Sequence, residues 1–229
     1  MILTYKAGVQ TVGNLWWEIQ TYTANYEPAF VADIPTFITA AEERIYNSVQ
    51  HPAFRKNQTG NMTQGNKYLT LPSDWLATYS LTIMDPVTQA QTFLLNKDVN
   101  FIREAYPAPN YSSTPIYYGQ FDADTLIIGP TPDANYGVEL HYFYYPASIT
   151  SATGDPDFSA GTSWLGQNFG EVLLHGSLRE AYTYMKGEAD IIQMYENKYM
   201  EGMTLLKRLA DGMDRRDAYR SGQTRVPVP

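Results

Sequence analysis

Cysteine is absent from the 229 residues, which excludes a disulfide framework and a thiolate metal site. Charged residues are scarce at 17%, and the three histidines, His51, His141 and His175, stand far apart with no neighbour at metal-ligand spacing. No apolar run approaches the roughly 20 residues that cross a bilayer. The N-terminus lacks the charged-then-apolar pattern of an export signal. The sequons at Asn57, Asn61 and Asn110 therefore read as plain polar turns. Catalytic signatures are missing too: the chain has no G-x-S-x-G, no G-x-x-x-x-G-K-[ST] and no H-E-x-x-H. The expectation is a non-enzyme with no cofactor and no metal. His175 reads as a core or interface histidine, and Asp122 with Asp124 as either a tight turn or a hard-cation site.

What the chain does hold is tyrosine, 19 of them, within an aromatic share of 14% and an apolar share of 44%. Tyrosine joins apolar area to a hydroxyl, so the excess suits surfaces buried against partners. The net charge of −8 gives no whole-body attraction to nucleic-acid phosphates.

Helical spacing is strongest from Ser163 to Asp211. Leu165, Phe169, Val172, Leu173, Gly176 and Ala181 recur at steps of three to five, with Lys186-Gly187 as a break. A second stripe follows through Ile191, Ile192, Tyr195, Tyr199, Gly202, Leu205, Leu206 and Leu209. Near the N-terminus Thr11 is placed to cap a helix reaching about Tyr22. Asp33 is placed to cap another, with Pro35 in its first turn. In that second helix Ile34, Phe37, Ile38, Ala41, Ile45 and Val49 form the inner stripe, and Glu42, Glu43 and Arg44 face outward. Between these helical parts, short runs rich in Thr, Tyr and Ile alternate with Pro, Gly and Asn, the pattern of strands and turns. The candidate strands are Lys67–Leu71, Leu81–Met84, Thr92–Leu95, Ile116–Gln120, Thr125–Ile128 and Val138–Tyr145, with a short helix over Lys97–Glu104.

The expected class is α+β. Residues 1–52 and 160–211 make a four-helix bundle, residues 53–150 an inserted β-rich domain, and residues 212–229 an extended C-terminal tail. Gly212 is placed to end the last helix in the left-handed conformation. The tail holds four arginines and two aspartates and ends Val226-Pro227-Val228-Pro229, a polar stretch too poor in apolar residues to fold alone.

Several segments in order carry a resemblance: Leu71-Pro72-Ser73-Asp74-Trp75-Leu76, Pro115-Ile116-Tyr117-Tyr118, Leu126-Ile127-Ile128-Gly129-Pro130-Thr131-Pro132-Asp133 and Tyr144-Tyr145-Pro146. They continue with Ser163-Trp164-Leu165, Leu173-Leu174-His175-Gly176, Glu180-Ala181-Tyr182 and Arg215-Arg216-Asp217-Ala218-Tyr219-Arg220. The series resembles the head-to-tail adaptor proteins of tailed bacteriophages, the group that includes the tail tubular protein A of short-tailed phages. The resemblance implies a homo-oligomeric ring, typically of twelve copies, between the portal protein ring and the tail nozzle protein. Such a virion protein is assembled in the host bacterial cytoplasm, and genomic DNA passes its channel without specific binding. It also implies that the C-terminal extension docks on the portal or a neighbouring subunit. The residues offered for that contact are Arg215, Arg216, Tyr219, Arg220, Arg225 and Val226, whose arginine forks suit carboxylates and whose apolar members suit small pockets. The competing readings are another tail or baseplate component and, from a different class, a carbohydrate-binding or glycosidase module.

Overall fold

The computed structural model describes residues 1–8, 10–108, 110–151 and 161–214. The chain divides into two compact units, Met1–Phe54 with Pro146–Pro229, and Arg55–Tyr145. Helices dominate the first unit and sheets the second, so the class is α+β.

In the helical unit α1 spans Leu15–Thr23 and α2 spans Pro28–Ser48. The cap of α1 is Asn14 rather than Thr11; the Asn14 side chain accepts the N–H of Trp16 at 3.2 Å. Helix α2 starts five residues before the expected Asp33, because Pro28 sits in the first turn where its missing N–H is harmless. Pro35 consequently lies inside the helix. One turn Pro52–Phe54 closes this part, and the chain returns at Pro146. Helix α4 (Trp164–Asn168) is capped by Ser163, whose hydroxyl accepts the Gly166 N–H at 3.0 Å. Helix α5 (Gly170–Tyr184) follows, then a break where Lys186 takes φ +54°, and then α6 (Ala189–Asp214).

Helix α5 is the hub of this unit and packs on α1, α2, α4 and α6. Its close approach depends on two glycines. A Cβ at Gly176 would sit 3.2 Å from both Ala41 and Tyr199, and one at Gly202 would sit 2.5 Å from Val172 Cγ2. The N-terminal strand-like segment also enters the core: Leu3 is fully buried, and its N–H bonds to the Gly166 carbonyl at 2.8 Å.

The second unit stacks two antiparallel-rich sheets. The first has the order β1 (Arg55–Met62), β10 (Tyr136–Tyr144), β3 (Trp75–Met84), β4 (Gln91–Phe93). The second runs β2 (Tyr68–Thr70), β8 (Thr125–Gly129), β7 (Tyr117–Gln120), β5 (Leu95–Asn96). Short strands β6 (Ser112–Ser113) and β9 (Thr131–Pro132) pair separately. Leu81, Ile83, Tyr118, Leu126, Ile128, Val138, Leu140 and Tyr142 share one core. Helix α3 (Val99–Ala105) covers the other face of the second sheet, where Ile102 rests beside Gly119 and Gly129.

Strand β1 corrects the reading of the sequons. Asn57 and Asn61 do not form turns; they lie in an eight-residue strand paired throughout with β10, from Arg55 opposite Phe143 to Met62 opposite Tyr136. Its residues have little β propensity, and pairing with β10 overrides it.

Candidate interaction surfaces

The expected contact residues Arg215, Arg216, Tyr219, Arg220, Arg225 and Val226 lie outside the described residues. What leads to them is α6, which runs through Gly212 to Asp214, so Gly212 is not the left-handed stop expected of it. Glycine costs a helix only about 1 kcal/mol. Space around Gly212 is open, and nothing there forces the chain to turn.

The inner stripe of α6 also differs from the expectation. Tyr195, Tyr199, Met203, Leu206 and Ala210 are buried, whereas Leu205 and Leu209 are 56% and 43% exposed. With Met213 they form a second apolar stripe at steps of four, running down the last turns of the helix. Leu205 also lines a groove of about 570 Å³ with Met1, Phe169, Glu171, His175 and Lys198. Desolvation, and then Lys198, lower the pKa of His175 in that groove.

Glu42 and Arg44 do not face outward as expected. Glu42 is 1% exposed and accepts the Ile149 N–H at 3.0 Å, holding the returning chain against α2. Burial pushes its pKa up to about 7, with Ser148 and Ile149 working the other way and Glu43 adding to the rise. Arg44 joins three helices. Its guanidinium donates to Glu196 of α6 at 2.6 and 3.1 Å and lies 4.8 Å from the centre of the Tyr199 ring. From α5, Arg179 Nε stands 2.7 Å from Glu196 Oε2 as an ion contact, and Arg179 also pairs with Glu180. Desolvation opposes the charge on Arg44, but bonds to Glu196 outweigh it and raise the pKa. This cluster fastens the unit together.

The other candidates resolve as structure. His51 is buried, its ring tilted against Trp164 at 4.3 Å between centres, and its Nδ1 accepts the Ala53 N–H at 3.0 Å. His141 packs edge-on to Tyr79 at 5.3 Å, and desolvation and the nearby Arg55 lower its pKa. Asp122 accepts the Asp124 N–H at 3.0 Å, the bond of a tight turn. Among the described residues no group of three or more His, Asp or Glu is placed to hold a metal ion. No described helix is long and apolar enough to cross a membrane.

Exposed aromatics gather on the outer face of the second sheet. Tyr68 meets Phe121 at 5.3 Å, Arg103 lies 5.0 Å over the Phe121 ring, and Phe101 packs on Tyr117 at 5.6 Å. Aromatic rings with an arginine are the composition of protein contact surfaces. The tyrosine count was the only sequence signal for this patch, because its members come from β2, β7, α3 and a loop.

The apolar stripe of α6 and the aromatic face of the second sheet have the composition of protein contact surfaces. Residues 10–227 match the SU10 adaptor protein family, and the chain belongs to that family. No curated protein matches the chain. The family agrees with the resemblance to phage head-to-tail adaptors, and the protein is a structural adaptor of a bacteriophage.

Proposed function

We propose that this chain is the head-to-tail adaptor subunit whose copies, twelve by the family resemblance, close into a ring between the portal and the tail nozzle. The observation that carries the reading is the family match over residues 10–227, nearly the whole chain. In this reading α1, α2, α5 and α6 act as one four-helix bundle that carries the β-rich insert, and the ring is a virion component without catalytic duty. Residues beyond α6 form the attachment arm. Arg215, Arg216, Arg220 and Arg225 fork onto carboxylates of the portal or of a neighbouring subunit, with Tyr219 and Val226 as apolar anchors. The net charge of −8 suits a channel that lets DNA slide, since like charge repels phosphate and a basic lining would retain it. The exposed stripe of α6 and the aromatic face of the β unit supply side surfaces of the kind a ring subunit needs. Native mass spectrometry of the assembly released from particles tests the reading: a closed oligomer near twelve chains is expected, and a monomer with affinity for oligosaccharides would overturn it.

A further inference from the structure

We propose that the outer edge of β1 receives residues 222–229 of a second copy of this chain, added to the sheet as one more strand. The proposal rests on the ring reading above and names the partner of the C-terminal arm.

Strand β1 lies at the end of its sheet, with β10 on one side only. In an antiparallel pair alternate residues turn their N–H and C=O away from the partner. Among the described residues no hydrogen bond reaches the outward backbone groups of residues 56–62. Edge strands are commonly guarded by proline, a bulge or inward-pointing charge. Along Asn57–Met62 there is no proline and no charge, and the register against β10 is unbroken.

A groove runs beside this edge. Lys56, Gln58, Gly60 and Met62 share the inner face of β1, opposite Tyr142, Leu140, Val138 and Tyr136. Gly60 has no side chain, and a Cβ there would meet nothing within 4 Å. A groove of about 160 Å³ results, floored by Val138 and Leu140 and walled by Leu69, Leu71 and Pro72. Val138, Leu140 and Leu71 are buried beneath this groove and Leu69 beside them is half-buried, so a strand carrying small apolar residues would fill it and extend the packing.

Residues 226–229 have the residue pattern of such a strand. In Val226-Pro227-Val228-Pro229 the N–H groups belong to alternate residues. A strand added to an edge uses alternate N–H groups, and prolines at the positions between cost it nothing. The same prolines stop a further strand from adding beyond it, so the edge is capped rather than propagated. Val226 and Val228 then share one face and can enter the groove together. Fifteen residues follow Asp214, a reach of about 50 Å at about 3.3 Å per residue. Residues 215–229 hold four arginines and one aspartate, and the β unit holds eight acidic side chains against five basic ones, so their charges attract. A donor segment and an acceptor edge on the same chain form a head-to-tail contact, the kind that closes rings; a segment folded onto its own edge would leave no link between copies.

The absence of native cysteine makes the test direct. Full-length Gln58→Cys and a tagged Val226→Cys or Val228→Cys chain are co-produced and mildly oxidised. Cross-strand neighbours stand within the Cα separation a disulfide needs. The expected product is a mixed disulfide of one tagged and one untagged chain, absent when Val87→Cys, at the exposed β3–β4 turn, replaces Gln58→Cys. Introducing Val226→Pro into the Val228→Cys chain should abolish the product, and Pro227→Ala should not. Rings that assemble without a mixed disulfide overturn this inference and leave the ring reading standing. The absence of both ring and disulfide overturns both. A chain carrying Gln58→Cys and Val226→Cys that closes internally in excess wild type also overturns the second-copy assignment.

Discussion

The carboxylate of Glu42 makes the helical unit sensitive to pH. Its pKa stands at about 7 in the folded chain against 4.5 as the ordinary value, and burial is the main cause. The unfolded chain gives up this proton from about pH 4.5, and the folded chain only near pH 7. Stability owed to this group therefore falls as pH rises through that window and is level above it. At about 1.4 kcal/mol per unit the loss is about 3 to 4 kcal/mol. Glu42→Gln keeps an acceptor for the Ile149 N–H, and urea unfolding between pH 4.5 and 8 should show a flattened slope and a gain of about 1–3 kcal/mol at pH 8. An unchanged slope would refute the assignment. The sequence reading set Glu42 on the outer face with Glu43 and Arg44. What covers it is Ile149, more than a hundred residues later, and no local pattern announces that contact.

Elements were legible where their own apolar pattern decides them. The stripes of α2 and α5 and the strand β10 were read close to their observed positions, because burial of those side chains is what forms them. Strand β1 escaped because its polar residues are held by a neighbour, and the inner face of α6 was misjudged because two apolar stripes compete there and only packing on α5 chooses between them. Leu173 is fully buried in that packing, and Leu173→Ala should cost about 2–5 kcal/mol in equilibrium unfolding. Gly202→Ala is a finer probe. Helix propensity alone would make it favourable by about 1 kcal/mol. The methyl would stand 2.5 Å from Val172 Cγ2, and overpacking typically costs about 1–3 kcal/mol. A net loss of stability is expected, relieved when Val172→Ala is added, and a stabilised single variant would contradict the close packing of α5 on α6.

For the whole molecule, the sequence revealed the adaptor class through an ordered series of weak motifs. The aromatic face of the β unit stayed hidden because it assembles from distant segments. The arm beyond α6 carries the sharpest functional expectation. Deleting residues 215–229 should leave the thermal unfolding midpoint unchanged, since every core residue described above lies outside the deleted stretch, while attachment to filled heads is lost. Arg215→Ala with Arg216→Ala should weaken attachment and reduce its dependence on salt, because the ion pairs that salt screens would be gone. Attachment of the truncated chain at the normal level would remove the arm from the mechanism.

The most direct measurement is electron cryomicroscopy of intact particles with this chain tagged. A closed ring of its copies between the portal and the tail nozzle is the predicted result. Density for the chain on fibres, on a baseplate or anywhere outside that junction would contradict it.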